Sequence, residues 1–180
     1  KDKYGIAVNE LDPNAGSADE LEAIKANKGN TGPQAPDVID VGLSFGPQAV
    51  AEGLIQPYKV STWDSIPADA KDPEGFWYGD YYGVLAFAVN KDMFPEAPKS
   101  FADLMNPAFA ASVALPGDPR TGNSTIMTVY AAGLSTMPEA RGADALNAGI
   151  AYMKALKDAG ILAPVDGNAQ NLAQGATPIY

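Results

Sequence analysis

The chain has 180 residues, enough for one ordinary domain or two small ones, and with 46% hydrophobic and 19% charged residues its composition is globular and not that of a disordered chain. Twelve Lys and Arg against 22 Asp and Glu give a formal net charge of −10, which argues against nucleic acid or an anionic membrane held by general electrostatics but leaves room for a local positive pocket. There is no Cys and no His, so thiol catalysis, Ser–His chemistry and thiolate or imidazole metal sites are excluded, and any metal would need oxygen ligands from Asp, Glu or Tyr.

No apolar run approaches the roughly 20 residues of a membrane span. No leader peptide is recognisable, so an exported protein would be met here in mature or trimmed form. Residues 4–11 (YGIAVNEL) are β-prone and read as a buried strand, broken by Pro13, Asn14 and Gly16. Ser17 and Glu20 form a Ser-x-x-Glu capping box that opens a helix carrying Leu21, Ala23 and Ile24 and ending near Lys28 and Gly29. After a loop, residues 37–41 (DVIDV) read as a short buried strand leading into Gly42, Leu43 and Ser44; Pro47 then suits the first turn of a helix running through Glu52. In an open α/β sheet, loops at the carboxyl ends of strands line the ligand crevice, which makes Ser44 a candidate contact. An ordinary strand-to-helix loop explains it equally.

Residues 63–73 are predicted to be irregular. Residues 76–83 (FWYGDYYG) concentrate rings around one carboxylate and run into 84–89 (VLAFAV), which reads as a fully buried strand. Rings here can pack the core or wall a polar cleft; Trp77 and Tyr81 are the candidates for the wall. Asp80, embedded among rings, needs a cationic partner or water. Ser100 and Asp103 cap a short helix that Asn106 and Pro107 end.

Residues 113–115 then form a short apolar strand entering a turn rich in Pro and Gly, which delivers Thr121, Asn123, Ser124 and Thr125 where a helix begins. The first turn of a helix carries backbone N–H groups without intrahelical partners at the positive end of the helix dipole. Hydroxyls beside it, Gly117 and Gly122 permitting close approach, and the donor fork of Arg120 make a site for an anion such as phosphate, phosphonate, sulfate or carboxylate. A simple capped turn without ligand is the alternative. The helix continues through 126–134. A long helix over 143–159 places Leu146, Ile150, Met153 and Leu156 on one core-facing side and stops at Gly160. Residues 168–174 read as a short helix, and 176–180 (ATPIY) as the start of another buried strand. The alternation predicts α/β layers; no internal repeat or low-complexity tract is present.

"PDVIDVG", "AEGLIQPY", "YYGVLAFAVNKDMFP", "PKSFADLMNPAFAASVALPGDPRTGNST" and "NLAQGATPIY" occur in the order seen in extracellular solute-binding proteins of ABC importers. The chain resembles the branch that includes iron(III), thiamine, polyamine and phosphonate or phosphate-ester binders. That resemblance implies a two-lobed α/β periplasmic-binding fold of type II, incomplete at both ends, with ligand in the cleft between lobes. It implies residues 1–88 as part of one lobe with the first crossover strand and 89–180 as most of the second. It carries ligand contact onto Ser44, Asp80 or Tyr81, and Thr121, Gly122, Asn123 and Ser124; residues 168–171 would face the same cleft. The adjacent tyrosines that bind iron in some members would lie beyond Tyr180, so iron ligation is not carried onto Tyr81 and Tyr82.

The expected role is binding without chemistry, with no cofactor and no resident metal: capture of a small anionic or zwitterionic solute, then docking on a membrane permease. A polyamine is the alternative solute, because of the rings around Asp80. The expected protein is periplasmic or extracellular, lipid-anchored in a Gram-positive cell, and monomeric at full length. Two other classes share this architecture: an enzyme using Asp80 and Asp118 as a carboxylate pair, and the sensory domain of a regulator.

Overall fold

A computed structural model of the chain describes residues 3–13 and 15–180. Asn14, part of the predicted break, lies outside the described residues. Five α-helices are present among the described residues: α1 (Ser17–Ala26), α2 (Gly46–Ala51), α3 (Asn123–Thr136), α4 (Gly142–Asp158) and α5 (Ala169–Gln174). Short 3-10 turns at Leu43–Phe45, Trp63–Ser65, Ala68–Ala70, Ala102–Met105 and Pro107–Phe109 connect the rest. Among the described residues no helix is long and apolar enough to cross a membrane. The chain divides into two compact units, one up to Tyr82 and one from Gly83 to Tyr180.

In the first unit, Leu21 of α1 packs against Phe45 and Ala49, with Ile39, Val41, Leu54 and Ile55 around them. Segment 37–41 was expected as a buried strand. It makes no ladder, yet it alternates as an extended chain does: Ile39 and Val41 turn to the core while Val38 is 89% exposed. Residues 4–11 are not a buried strand either. Tyr4, Ile6, Val8 and Leu11 are all exposed, and no described segment pairs with them. A strand is stable only when its backbone groups find a partner chain, so β-propensity without one leaves an irregular segment. The cap of α1 sits one residue earlier than predicted. Gly16 is the N-cap and its N–H donates to Asp19 Oδ2 at 3.1 Å, while Ser17 Oγ accepts from the Gly42 N–H at 3.0 Å.

In the second unit, four short lines of backbone lie side by side. Val113 bridges in parallel to both Leu162 and Ile179, and Ile179 bridges antiparallel to Val89. Ile179, with no exposed surface, therefore lies between Val89 and Val113. The ladder is carried by Ala88 N–H to Tyr180 O (2.8 Å), Ala114 N–H to Ile179 O (2.9 Å) and Ala163 N–H to Val113 O (2.7 Å). The layering expected from the sequence appears here as isolated bridges; no longer strand forms among the described residues. Segment 84–89 is buried only toward its end. Val84 is 85% exposed, whereas Phe87 and Val89 pack on the core of Leu104, Phe109, Val113, Tyr152, Leu156, Ile161 and Ile179. Backbone pairing with the Ile179 line begins at Ala88, and Val84, Leu85 and Ala86, which precede it, are exposed.

Helices α3 and α4 approach each other closely. A Cβ built on Gly133 would lie 1.8 Å from the Ala145 carbonyl oxygen, and one on Gly149 would lie 1.9 Å from that of Val129. Backbone meets backbone, and the buried face of α4 is Ala145, Gly149, Tyr152 and Leu156. Ile150, predicted for the core, is 60% exposed because this small-residue face turns inward instead. The Tyr152 hydroxyl donates to the Phe101 carbonyl, and its ring meets Phe101 edge-on. Helix α4 ends in a Schellman motif, with Ile161 N–H to Leu156 O and Gly160 N–H to Lys157 O, both 2.9 Å, and Gly160 at φ +70°.

Three outcomes are expected in denaturant titrations. Gly149→Ala should lower stability by about 3 kcal/mol, the upper end of the usual overpacking range, since a carbonyl and not a flexible side chain must move. Thr177→Val should raise stability by about 1 kcal/mol, because the fully buried Thr177 Oγ1 has no hydrogen-bond partner among the described residues. Burial pushes the Tyr152 phenol up to about 12, so its folded-state pKa lies above the ordinary value near 10. The stability this represents is complete below pH 10 and is lost as pH rises from there toward 12. The wild-type advantage over Tyr152→Phe, about 1 kcal/mol at pH 8, should therefore shrink across that window.

Candidate ligand-binding site

The predicted residues fall into two groups, one in each unit. In the first unit, an Asp-Pro-Glu-Gly turn sets the positions of Trp77, Asp80 and Tyr81. Gly75 N–H donates to Asp72 O (2.9 Å), Asp72 Oδ2 accepts from the Glu74 and Phe76 N–H groups (both 3.1 Å), and Gly75 takes φ +96°. Asp first, Pro second and Gly last is the pattern of a type I turn. The turn brings Lys71 opposite Tyr78 in an antiparallel bridge. This tight hairpin was missed in the sequence, although its four-residue signal is explicit. The ring of Trp77 then lies flat against Gly46, where a Cβ would come within 2.9 Å. Trp77 thus closes the back of α2 and is half-buried; Ser44, in the 3-10 turn leading into α2, is exposed.

Asp80 and Tyr81 follow at the surface. The Tyr81 hydroxyl donates to Asp40 Oδ2 at 3.2 Å. The Asp40 charge is the main reason the Tyr81 phenol is raised above its ordinary value, with Asp80 and Glu20 adding to it. Glu20 is itself raised, first by burial and further by Asp40 and Asp12, even though it accepts from the Asp40 N–H. The carboxyl end of segment 37–41 is therefore acidic. Among the described residues no group of three or more acidic side chains is close enough to hold a metal ion.

In the second unit, Arg120, Thr121, Gly122, Asn123 and Ser124 are gathered at the mouth of α3. The Val113 line ends at Leu115, and Gly117 turns the chain at φ +136°, a region L side chains rarely enter. The Asp118 carbonyl accepts from Thr121 N–H (3.2 Å), Gly122 N–H (3.1 Å) and Thr121 Oγ1 (3.3 Å). Gly122 is the N-cap; it offers no side-chain acceptor, and the first turn of α3 carries no acid. Thr125, 2% exposed, lies under the turn with its Oγ1 about 3.7 Å from where a Gly122 side chain would begin. The amide-rich end of α3 is thus uncapped by its own N-cap residue and roofed by glycines.

Arg120 is exposed, but its fork is paired with Asp118. Its Nε lies 3.0 Å from both Asp118 carboxylate oxygens, its Nη2 donates to Oδ2, and its backbone N–H donates to Oδ1 at 2.8 Å. These hydrogen bonds hold the Asp118 carboxyl down at about 2. The pair is exposed, so it sets the shape of the turn and adds little to stability.

Two neighbours of this mouth were not among the predicted contacts. A recess of about 180 Å³ opens between the carboxyl ends of the Val113 and Leu162 lines, bordered by Leu115, Gly117, Ala163 and Asp166. Beside it, Gly167 N–H donates to Leu115 O (2.8 Å), and the Tyr180 ring presses on Gly167, where a Cβ would lie 2.3 Å from the Tyr180 Cβ. The signal available was the Tyr that ends an apolar run. Asn168 caps α5 by accepting the Asn171 N–H at 2.8 Å, which accounts locally for one of the residues carried over at 168–171.

A family model described as bacterial extracellular solute-binding protein matches residues 34–180. The chain belongs to this family. The match takes in α2 to α5 and both groups of predicted contacts. An uncharacterized protein of Haemophilus influenzae is 31% identical over 134 residues, covering 68% of this chain and 37% of that protein. A Sinorhizobium fredii protein named "Probable ABC transporter periplasmic-binding protein y4fP" is 36% identical over 95 residues, 51% of this chain and 25% of that protein. Among solved structures, the periplasmic binding protein P5PA superposes with a TM-score of 0.70 at 26% identity, covering 92% of this chain and 52% of that one. The chain thus spans between a quarter and about half of the length of these relatives.

The local electrostatics can be checked directly. In a carbon-detected NMR titration the Asp118 carboxyl should have its midpoint near 2, and Arg120→Gln should move it up toward the ordinary carboxylate value of 3.8. An unchanged midpoint would show that Arg120 does not hold it.

Proposed function

We propose that this protein is the substrate-binding component of an ABC importer and captures a small anionic or zwitterionic solute of the phosphonate, phosphate-ester or metal-anion type. Family membership supports the receptor role, and the mouth of α3 carries the preference for an anion. There, backbone N–H groups at the positive end of a 14-residue helix face a glycine-roofed turn beside the hydroxyls of Thr121 and Ser124, with Arg120 two residues from the cap. An oxyanion with more charge than a carboxylate competes with Asp118 for the Arg120 fork. Gly122 and Asn123 complete the contacts from this unit; Ser44, Trp77, Asp80 and Tyr81 are the contacts proposed from the other.

The likeness to periplasmic binding proteins supports the rest of this reading. The protein is a two-lobed α/β receptor of type II with lobes at 1–88 and 89–180, each continued by further chain in its longer relatives. It works outside the cytoplasmic membrane and delivers its solute to a membrane permease. A lobe-bridging solute shifts the open–closed balance by its extra affinity for the closed state.

The acidic surface of Glu20, Asp40 and Asp80 around Tyr81 favours a second reading, a polyamine receptor. Calorimetry on the full-length protein with inorganic phosphate, methylphosphonate and spermidine separates the two. The anion reading expects heat with the first or second, weakened roughly tenfold or more by Arg120→Gln, as for loss of one charge-assisted hydrogen bond. It also expects Asp118→Asn to tighten anion binding a few-fold by removing the competing carboxylate. Heat with spermidine alone would replace it with the polyamine reading.

A further inference from the structure

We draw no further inference here: the strongest candidate, the Arg120 fork closed on Asp118 at the mouth of α3, belongs to the site already described, and nothing bound there shows what would open it.

Discussion

Contact of backbone on backbone between α3 and α4 governs the second unit. Gly133 and Gly149 each face a carbonyl at a distance no side chain could occupy. Glycine inside a helix costs about 0.5–1 kcal/mol relative to alanine. That cost is offset because the two helices come close enough to bury Val129 and Ala145 and to bring Ala132, Tyr152 and Leu156 into one core. With α4 locked, α3 has a fixed axis, and its first turn has a fixed position relative to the Val113 line. The segment from Leu115 to Gly122 must then span two immobile ends. It does so through Gly117 in a conformation few residues adopt and through Asp118, which supplies acceptors from both carbonyl and carboxylate. The shape of the candidate anion site is thus a consequence of helix packing some distance from it.

The charge distribution follows a different logic. A net charge of −10 sets the sign of the field far from the protein, not that at any one site. At the mouth of α3 the nearby charges are a helix end and a guanidinium balanced by a single carboxylate. Around Tyr81 the charge of Asp40, with smaller additions from Asp80 and Glu20, raises the phenol, while Glu20 is raised first by its own burial.

The candidate site was legible where chemistry is written in consecutive residues. The turn from Arg120 to Ser124 could be read because a glycine-rich exit, small hydroxyls and a helix start are all local features. Tyr180 and the recess beside Asp166 were not legible as neighbours of that turn, since more than forty residues separate them from it. The pairing of Arg120 with Asp118 was also missed; two residues apart in a turn, they meet only because the turn folds the carboxylate back onto the guanidinium.

Helix starts and stops were determined by the sequence itself. Asp103 accepts from Lys99 and Ser100 N–H while Ser100 Oγ receives the Asp103 N–H, Asn168 caps α5, and Gly160 closes α4, each through partners within five residues. Such signals need no knowledge of the fold. Which apolar segments become buried strands was decided only by tertiary structure. Segments 4–11, 37–41, 84–89 and 176–180 look alike as sequence, yet only the last is buried along its core residues, because only it lies between two partners at Val89 and Val113. A strand's backbone and side chains are satisfied by remote chain, so its fate is set by what comes to lie beside it.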